Sequence, residues 1–388
     1  MGKNNKMNVP QFMPFLDNEE YLAIKDCFDN NWVTEGPKAK EFNKKICELI
    51  GVEYGVFAPN GTLALYLALK SLEIGPGDEV IVPDFTFIAS ANAVEMVGAT
   101  PVFVDITDEL QINILDCKRV ISPNTKAIMP VHIYGFTSNM DEVMTFSSEN
   151  NLLVIEDAAQ ALGIKWKNKP CGSFGDISAF SFFADKTLTT GEGGFIATNN
   201  EKLFNKLTYL RNQGRLSSGT FIHPEIGYNF RMTDIQMAIG LTQLNKMPTI
   251  VQNKQSIHRL YCKLLKDVEE IKIINPNPNI DPYIPFRVVL MTKNENSTGL
   301  MAYMSENGIE PRTFFYPLHM QPSYAKMGNQ CKEEIHCHCK ESDYGKCDTF
   351  PNSIYAYEHG VCLPSFAALE EKQIIYVCNV IKKYFSLS

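Results

Sequence analysis

The feature that most narrows the fold of this chain is the alternation of two periodicities between residues 52 and 160. Short apolar runs (Val52 to Ala58, Glu79 to Val82, Pro101 to Asp105, Ala127 to Tyr134, Leu152 to Asp157) are interleaved with stretches whose apolar residues recur three or four apart. A strand reaches a parallel neighbour only through a crossover long enough to hold a helix. This alternation therefore predicts an α/β fold with a mainly parallel central sheet and helices on both faces. The chain has 388 residues, enough for one large and one small domain. The expected division is 1–245 (N-terminal segment and large α/β domain) and 246–388 (a linking helix, about 246 to 268, and a small α+β domain).

In such a sheet the ligand crevice lies at the carboxyl ends of the strands. The buried-type run Leu152-Leu-Val-Ile155 ends there in Glu156-Asp157. Further along, Lys186 stands between the apolar run Ile177 to Phe183 and a turn rich in glycine (Gly191, Gly193, Gly194). A lysine is a nucleophile only as its neutral amine, which burial or a neighbouring charge favours. Phe180, Phe182 and Phe183 are the candidates to desolvate it. The plainer reading is a sheet-edge lysine before a hairpin. Against it stands Asp157: a carboxylate at a strand end can keep a pyridine nitrogen protonated, and a lysine with such a partner is the signature of pyridoxal phosphate (PLP).

Seven pieces then carry a resemblance. They are Asn60-Gly-Thr62, Pro83 to Asn92, Glu156-Asp-Ala-Ala-Gln160, Ser181-x4-Lys186, Thr190-Gly-Glu-Gly-Gly194, Gly227-Tyr-Asn-Phe-Arg231 and Tyr316-Pro-Leu-His319. In this order, over nearly the whole chain, the sequence resembles the DegT/DnrJ/EryC1/StrS family of PLP-dependent sugar aminotransferases. The resemblance implies the fold-type I, aspartate aminotransferase-like architecture. Lys186 is then the lysine that binds PLP and relays protons. Asp157 pairs with the ring nitrogen, Phe87 stacks on the ring, and Gln160 lies by the phenolic oxygen. Gly61, Thr62 and Ser181 hold the phosphate, together with Asn229 of a neighbouring subunit, so a homodimer with shared active sites is implied. Arg312, Tyr316 and His319 flank the substrate. Asn60 departs from the serine usual there, Phe87 from Trp or Tyr, and Gln213 from His.

The resemblance further implies an amino donor, glutamate, and an acceptor that is a nucleotide-linked 4-keto-6-deoxyhexose. The run Lys186 to Gly194 is most similar to the perosamine-type 4-aminotransferases of the family, which serve glycan biosynthesis. Amination at C3 of a nucleotide-linked 3-keto sugar, or a non-catalytic regulatory role, are the alternatives. Family members that act as dehydratases carry histidine in place of the lysine.

Composition sets outer limits. Lys and Arg number 36 against 44 Asp and Glu, a net charge of −8, and phosphate backbones demand the opposite balance, so nucleic acid is not expected as a partner. No run is apolar enough over about 18 residues to span a bilayer, and Met1 to Met7 lacks the apolar core of a signal peptide. A soluble, cytoplasmic protein with no membrane partner is expected. The eleven cysteines are scattered rather than framed, as suits reduced thiols. Cys331, Cys337, Cys339 and Cys347, with His336 and His338, form the one metal-like cluster. Their spacing lacks the paired Cys-x2-Cys geometry of structural zinc, so a charged loop and no metal are expected. His132 is expected to be a satisfied histidine inside a strand.

Overall fold

A computed structural model describes residues 6–215, 219, 221–325 and 349–387. Helices α1 (Asn18–Asp29) and α2 (Pro37–Ile50) lead into the alternating region. There β1 (Tyr54–Ala58), α3 (Gly61–Ser71), β2 (Glu79–Pro83), α4 (Ala89–Met96), β3 (Thr100–Val104), α5 (Ile114–Val120), β4 (Thr125–Ile128), α6 (Met140–Asn150) and β5 (Leu153–Asp157) follow one another. A small hairpin, β6 (Lys165–Trp166) and β7 (Lys169–Pro170), precedes β8 (Ile177–Ser181), β9 (Gly194–Thr198) and α7 (Glu201–Arg211). The main sheet has seven strands in the order β1-β9-β8-β5-β4-β2-β3. Every neighbouring pair from β8 to β3 is parallel, and β9 alone runs against its neighbours.

Strand side chains alternate between faces, and the core divides accordingly. Phe57, Ile81, Ile128, Val154 and Phe180 pack on one side with α2, α5 and α6. Val56, Val80, Ala127, Ile155 and Ala179 pack on the other with α3, α4 and α7. Helices thus cover both faces, as the alternation predicts. The run expected to continue as a strand to Tyr134 stops at Ile128, because Pro130 has no N–H for the ladder. His132 consequently lies beyond the strand end rather than inside it.

A single helix, α8 (Asp234–Leu265), contains the start of the linking helix expected at about 246 and extends twelve residues ahead of it, with Pro248 inside it. Its second half supports a four-stranded antiparallel sheet in the order β10-β11-β13-β12. Those strands are β10 (Ile271–Ile273), β11 (Val288–Thr292), β12 (Arg312–Thr313) and β13 (Gly360–Leu363). The helices α9 (Thr298–Glu306) and α12 (Glu371–Leu387) pack with it, while α10 (Pro322–Ala325) and α11 (Pro351–His359) lie between β12 and β13 in the chain. Strand β11 starts only at Val288, after Pro282 and Pro285. No described helix is long and apolar enough to cross a membrane.

One face differs from its periodicity. Tyr21, Ile24 and Phe28 recur at helical spacing, yet Tyr21 is 63% and Phe28 60% exposed. Glu20 and Cys27 are buried instead, with Glu20 tied to α8 through Gln243 Nε2 at 2.8 Å and Lys246 Nζ at 2.9 Å. A charge network, rather than the apolar stripe, sets the rotation of this helix.

Candidate active site

A cavity of about 450 Å³ opens where the parallel strands end and the second sheet meets the first. Gly61, Thr62, Phe87, Asp157, Gln160, Ser181, Lys186 and Arg312 all line it. Residues separated by most of the chain meet there because each sits at an element end or in a loop that leaves one.

The first wall is the start of α3. Asn60 caps this helix, its Oδ1 accepting the Leu63 N–H at 3.0 Å, so it does the capping work for which serine is also suited. The amides of Gly61 and Thr62 belong to the first helical turn, which has no intrahelical acceptors, and the helix dipole adds positive potential. Ser181 ends β8 beside them: a Cβ added to Gly61 would meet Ser181 Cβ at 3.0 Å. The turn is held close to β9 as well, since a Cβ on Gly194 would meet Asn60 O at 2.3 Å.

Asp157 ends β5. Its Oδ2 accepts from Ser90 Oγ at 2.7 Å and its Oδ1 from the Ala159 N–H at 3.2 Å. Burial pushes this carboxyl up, while Ser90, Ala159 and the charge of Lys186 pull it back. A buried carboxylate of this kind favours a cationic N–H partner. Gln160 Oε1 accepts the Tyr134 N–H at 2.6 Å, which fixes the orientation of the amide. Tyr134 stacks on Phe315 with ring centroids 5.4 Å apart. Phe87, 57% exposed, lies 6.0 Å from the same Phe315 ring. His132 is buried and satisfied: Nδ1 accepts the Ser138 N–H at 3.2 Å, so Nε2 carries the hydrogen facing Glu156 Oε2 at 3.1 Å.

Lys186 lies in the loop joining β8 and β9, which is internally bonded. Phe182 N–H donates to Gly193 O at 2.8 Å, Thr190 N–H to Phe182 O at 3.0 Å, and Lys186 N–H to Phe183 O at 2.9 Å. Gly191, with φ +84°, supplies the left-handed step this turn requires. Burial lowers the Lys186 amine and Arg287 adds to that, against Asp185 and Asp157, which raise it. The ring beneath the amine is Phe286, 4.6 Å from Nζ. The expected aromatics serve otherwise: Phe180 and Phe182 belong to the core, and Phe183 is 41% exposed at the cavity.

Phe286, Arg287, Phe315 and Ser90 are site residues that sequence reasoning missed. Ser90 lies inside the motif Pro83 to Asn92, three residues after Phe87 and in the first turn of α4. Phe286 and Arg287 lie far from any motif and reach the cavity only through tertiary packing.

Three expected residues do not line the cavity. Asn229 is exposed between α7 and α8, its Oδ1 accepting from Arg231 Nε at 2.9 Å. Tyr316 packs edge-on against Tyr357 at 5.0 Å. His319 is held by Asp84, through its N–H at 2.8 Å and its Nδ1 at 2.7 Å, and stacks on Phe350. The cysteine and histidine cluster of 331–347 lies outside the described residues. Among the described residues no group of three or more His, Cys, Asp or Glu is placed to hold a metal.

The donor set fits PLP. Helix-end amides and a hydroxyl suit a phosphate, a buried carboxylate suits a pyridinium, a desolvated amine suits an aldehyde, and a flat ring suits an aromatic heterocycle. Comparison with known proteins agrees. The model of the DegT/DnrJ/EryC1/StrS aminotransferase family matches residues 14–382. The chain is 37% identical to the GDP-perosamine synthase of Escherichia coli O157:H7, over 97% of this chain and 99% of that one. It is 35% identical to the UDP-N-acetyl-3-dehydro-α-D-glucosamine 3-aminotransferase of Acidithiobacillus ferrooxidans, covering 96% and 95% of the two chains. Among solved structures, the PLP form of Spr1654 from Streptococcus pneumoniae superposes with a TM-score of 0.90 at 25% identity, covering 98% and 99%.

Proposed function

Because this chain belongs to the DegT/DnrJ/EryC1/StrS aminotransferase family, and is a PLP-dependent sugar transaminase, we propose that it transfers the amino group of glutamate to a nucleotide-linked 4-keto-6-deoxyhexose, giving a 4-amino-4,6-dideoxy sugar. The observation that carries the chemistry is the convergence of Lys186, Asp157 and the start of α3 on one cavity. The likeness to GDP-perosamine synthase supports the acceptor.

PLP, when bound, supplies an electron sink for a carbon that gives up a proton. Lys186 anchors it covalently at rest. Once released, Lys186 Nζ takes the proton from the donor's α-carbon and passes it on, a role that suits an amine lowered by burial. In the second half-reaction the same amine serves the sugar carbon in reverse. Asp157, held by Ser90 and Ala159, keeps a negative charge against the pyridine nitrogen. Gly61, Thr62 and Ser181 would hold the PLP phosphate, Phe87 would offer the ring a flat apolar face, and Gln160 would lie by the phenolic oxygen. Arg312 at the cavity rim meets the diphosphate of the substrate, a match of planar guanidinium to phosphate oxygens. Asn229 reaches the cavity of a second subunit, so the working unit is a homodimer. Its surface position supports this, as do the exposed Phe221, Ile222 and Ile226 nearby and the outward-facing Tyr21 and Phe28 of α1.

The relative that is a 3-aminotransferase favours one second reading, amination at C3 of a nucleotide-linked 3-keto sugar. Incubation of the PLP-loaded protein with glutamate and GDP-, UDP- or dTDP-linked 4-keto-6-deoxyhexoses separates the two. The expected products are 2-oxoglutarate and an amino sugar of matching mass from one nucleotide, with turnover falling by at least about 1,000-fold in Lys186→Ala. Activity on 3-keto sugars alone overturns the C4 assignment.

A further inference from the structure

Two charged side chains beside Lys186 have no part in the reaction described above. Asp185 Oδ2 accepts from Arg287 Nη2 at 2.6 Å, with the two side chains 10% and 5% exposed. Asp185 Oδ1 is buried without a hydrogen-bond partner among the described residues. It lies 3.9 Å from Lys186 Nζ, beyond hydrogen-bonding distance yet within a small torsional adjustment of it. The Phe286 ring sits under both cations, 4.6 Å from Lys186 Nζ and 4.7 Å from Arg287 Cζ. A buried carboxylate oxygen left open in this way is costly unless something visits it. The group best placed to visit is the lysine amine, which must leave its covalent bond in every catalytic cycle.

We propose that Asp185, locked in place by Arg287, is the acceptor on which the Lys186 amine rests when it is not in covalent use, making the pair positioning residues for this lysine. The inference rests on the reading of Lys186 as the transamination lysine. The released amine becomes an ammonium when it takes the α-carbon proton, and it then donates one N–H to Asp185 Oδ1, which keeps it beside the cavity instead of letting it swing into solvent. Arg287 holds the carboxylate by its other oxygen, so the acceptor does not follow the lysine into the cavity.

The charges facing the amine act in opposite senses. Asp185 from its own loop and Asp157 from the end of β5 stabilise the ammonium, whereas Arg287, just ahead of β11, destabilises it. Lys254 of α8 lies behind Arg287, its Nζ donating to the carbonyls of Pro285 and Phe286 at 3.2 Å and of Ser365 at 3.3 Å. This opposition separates a working pair from a merely structural one. Loss of either partner of a structural ion pair perturbs the site in one sense, while loss of a charge that acts on the amine shifts its titration in the sense of that charge.

The test reads Lys186 in the cofactor-free, full-length protein by competitive acetylation with acetic anhydride across pH, quantified on the Lys186 peptide by mass spectrometry. Asp185→Asn is expected to move the midpoint down by about one pH unit, and Arg287→Gln to move it up by a similar amount. Arg287→Lys, which retains the charge, is expected to leave it near the parent value. Shifts in the same direction for Asp185→Asn and Arg287→Gln, or unchanged midpoints in both, overturn the proposal. Should Asp185→Asn fail to fold, the contrast between Arg287→Gln and Arg287→Lys decides alone: equal midpoints overturn it. Borohydride reduction with PLP, read as added mass on Lys186, tests the underlying role separately. A lysine that shifts as expected yet never traps PLP refutes its part in transamination while leaving the electrostatic coupling intact.

Discussion

At the scale of single residues, Asp157 sets stability against chemistry. Its carboxyl titrates above the ordinary aspartate value because it is buried, so the carboxylate is less favourable in the folded chain than in the unfolded one. The sign follows: stability is reduced at neutral pH, and the loss disappears as pH falls through the raised value towards the unfolded one. Asp157→Asn keeps the shape, and the Ser90 hydroxyl can rotate to suit an amide. In the cofactor-free protein at pH 7 the variant is expected to melt about 1–2 °C higher, with the advantage shrinking towards pH 4. With PLP and substrates the order reverses, and kcat is expected to fall by at least about 100-fold, since an amide cannot keep the proposed pyridinium charged. Thermal melts at both pH values and steady-state rates check this; a variant that melts lower at pH 7 without cofactor counts against a buried charge held at a cost. Asp157 was legible in the sequence because a strand ends at it. Arg287 was not, because its partner Asp185 stands 102 positions away and no local pattern records a contact of that kind.

At the scale of elements, the start of α3 depends on β9. Gly194 leaves room for the Asn60 carbonyl, which a methyl group would meet at 2.3 Å. Gly194→Ala must therefore push the turn between β1 and α3 away from the sheet, a local overpacking that costs about 1–3 kcal/mol. The displaced amides are those proposed to hold the phosphate. PLP affinity, measured by titration of the cofactor-free protein, is expected to weaken at least about 10-fold while the far-ultraviolet circular dichroism is retained; unchanged affinity separates this turn from the phosphate site. The strands and helices between 52 and 160 were readable because each shows its own period over several residues. The failures have local causes of another kind. Pro130 cut a strand short, and buried Glu20 turned α1 so that its apolar stripe faces outward.

At the scale of the whole molecule, the exposed apolar side chains of α1 and of residues 221–226, together with exposed Asn229, bear on assembly. If Asn229 completes the site of a second subunit, Lys186→Ala and Asn229→Ala chains complement one another. A mixed dimer then contains one site with both residues intact. Equal mixing after dissociation is expected to restore about a quarter of the parent activity per total site, whereas no recovery places Asn229 in its own subunit's chemistry, and full activity of Asn229→Ala by itself places it outside the site. Sequence by itself determined the layered α/β architecture, because periodicity is a local property, and the family resemblance carried by its motifs pointed to eight residues of the cavity lining. Only the tertiary structure decided which aromatic ring desolvates Lys186, which cation holds Asp185 beside it, and which face of α1 is left to solvent. Those depend on packing between segments distant in the chain, where the free energy of a contact is set by geometry that no run of neighbouring residues encodes.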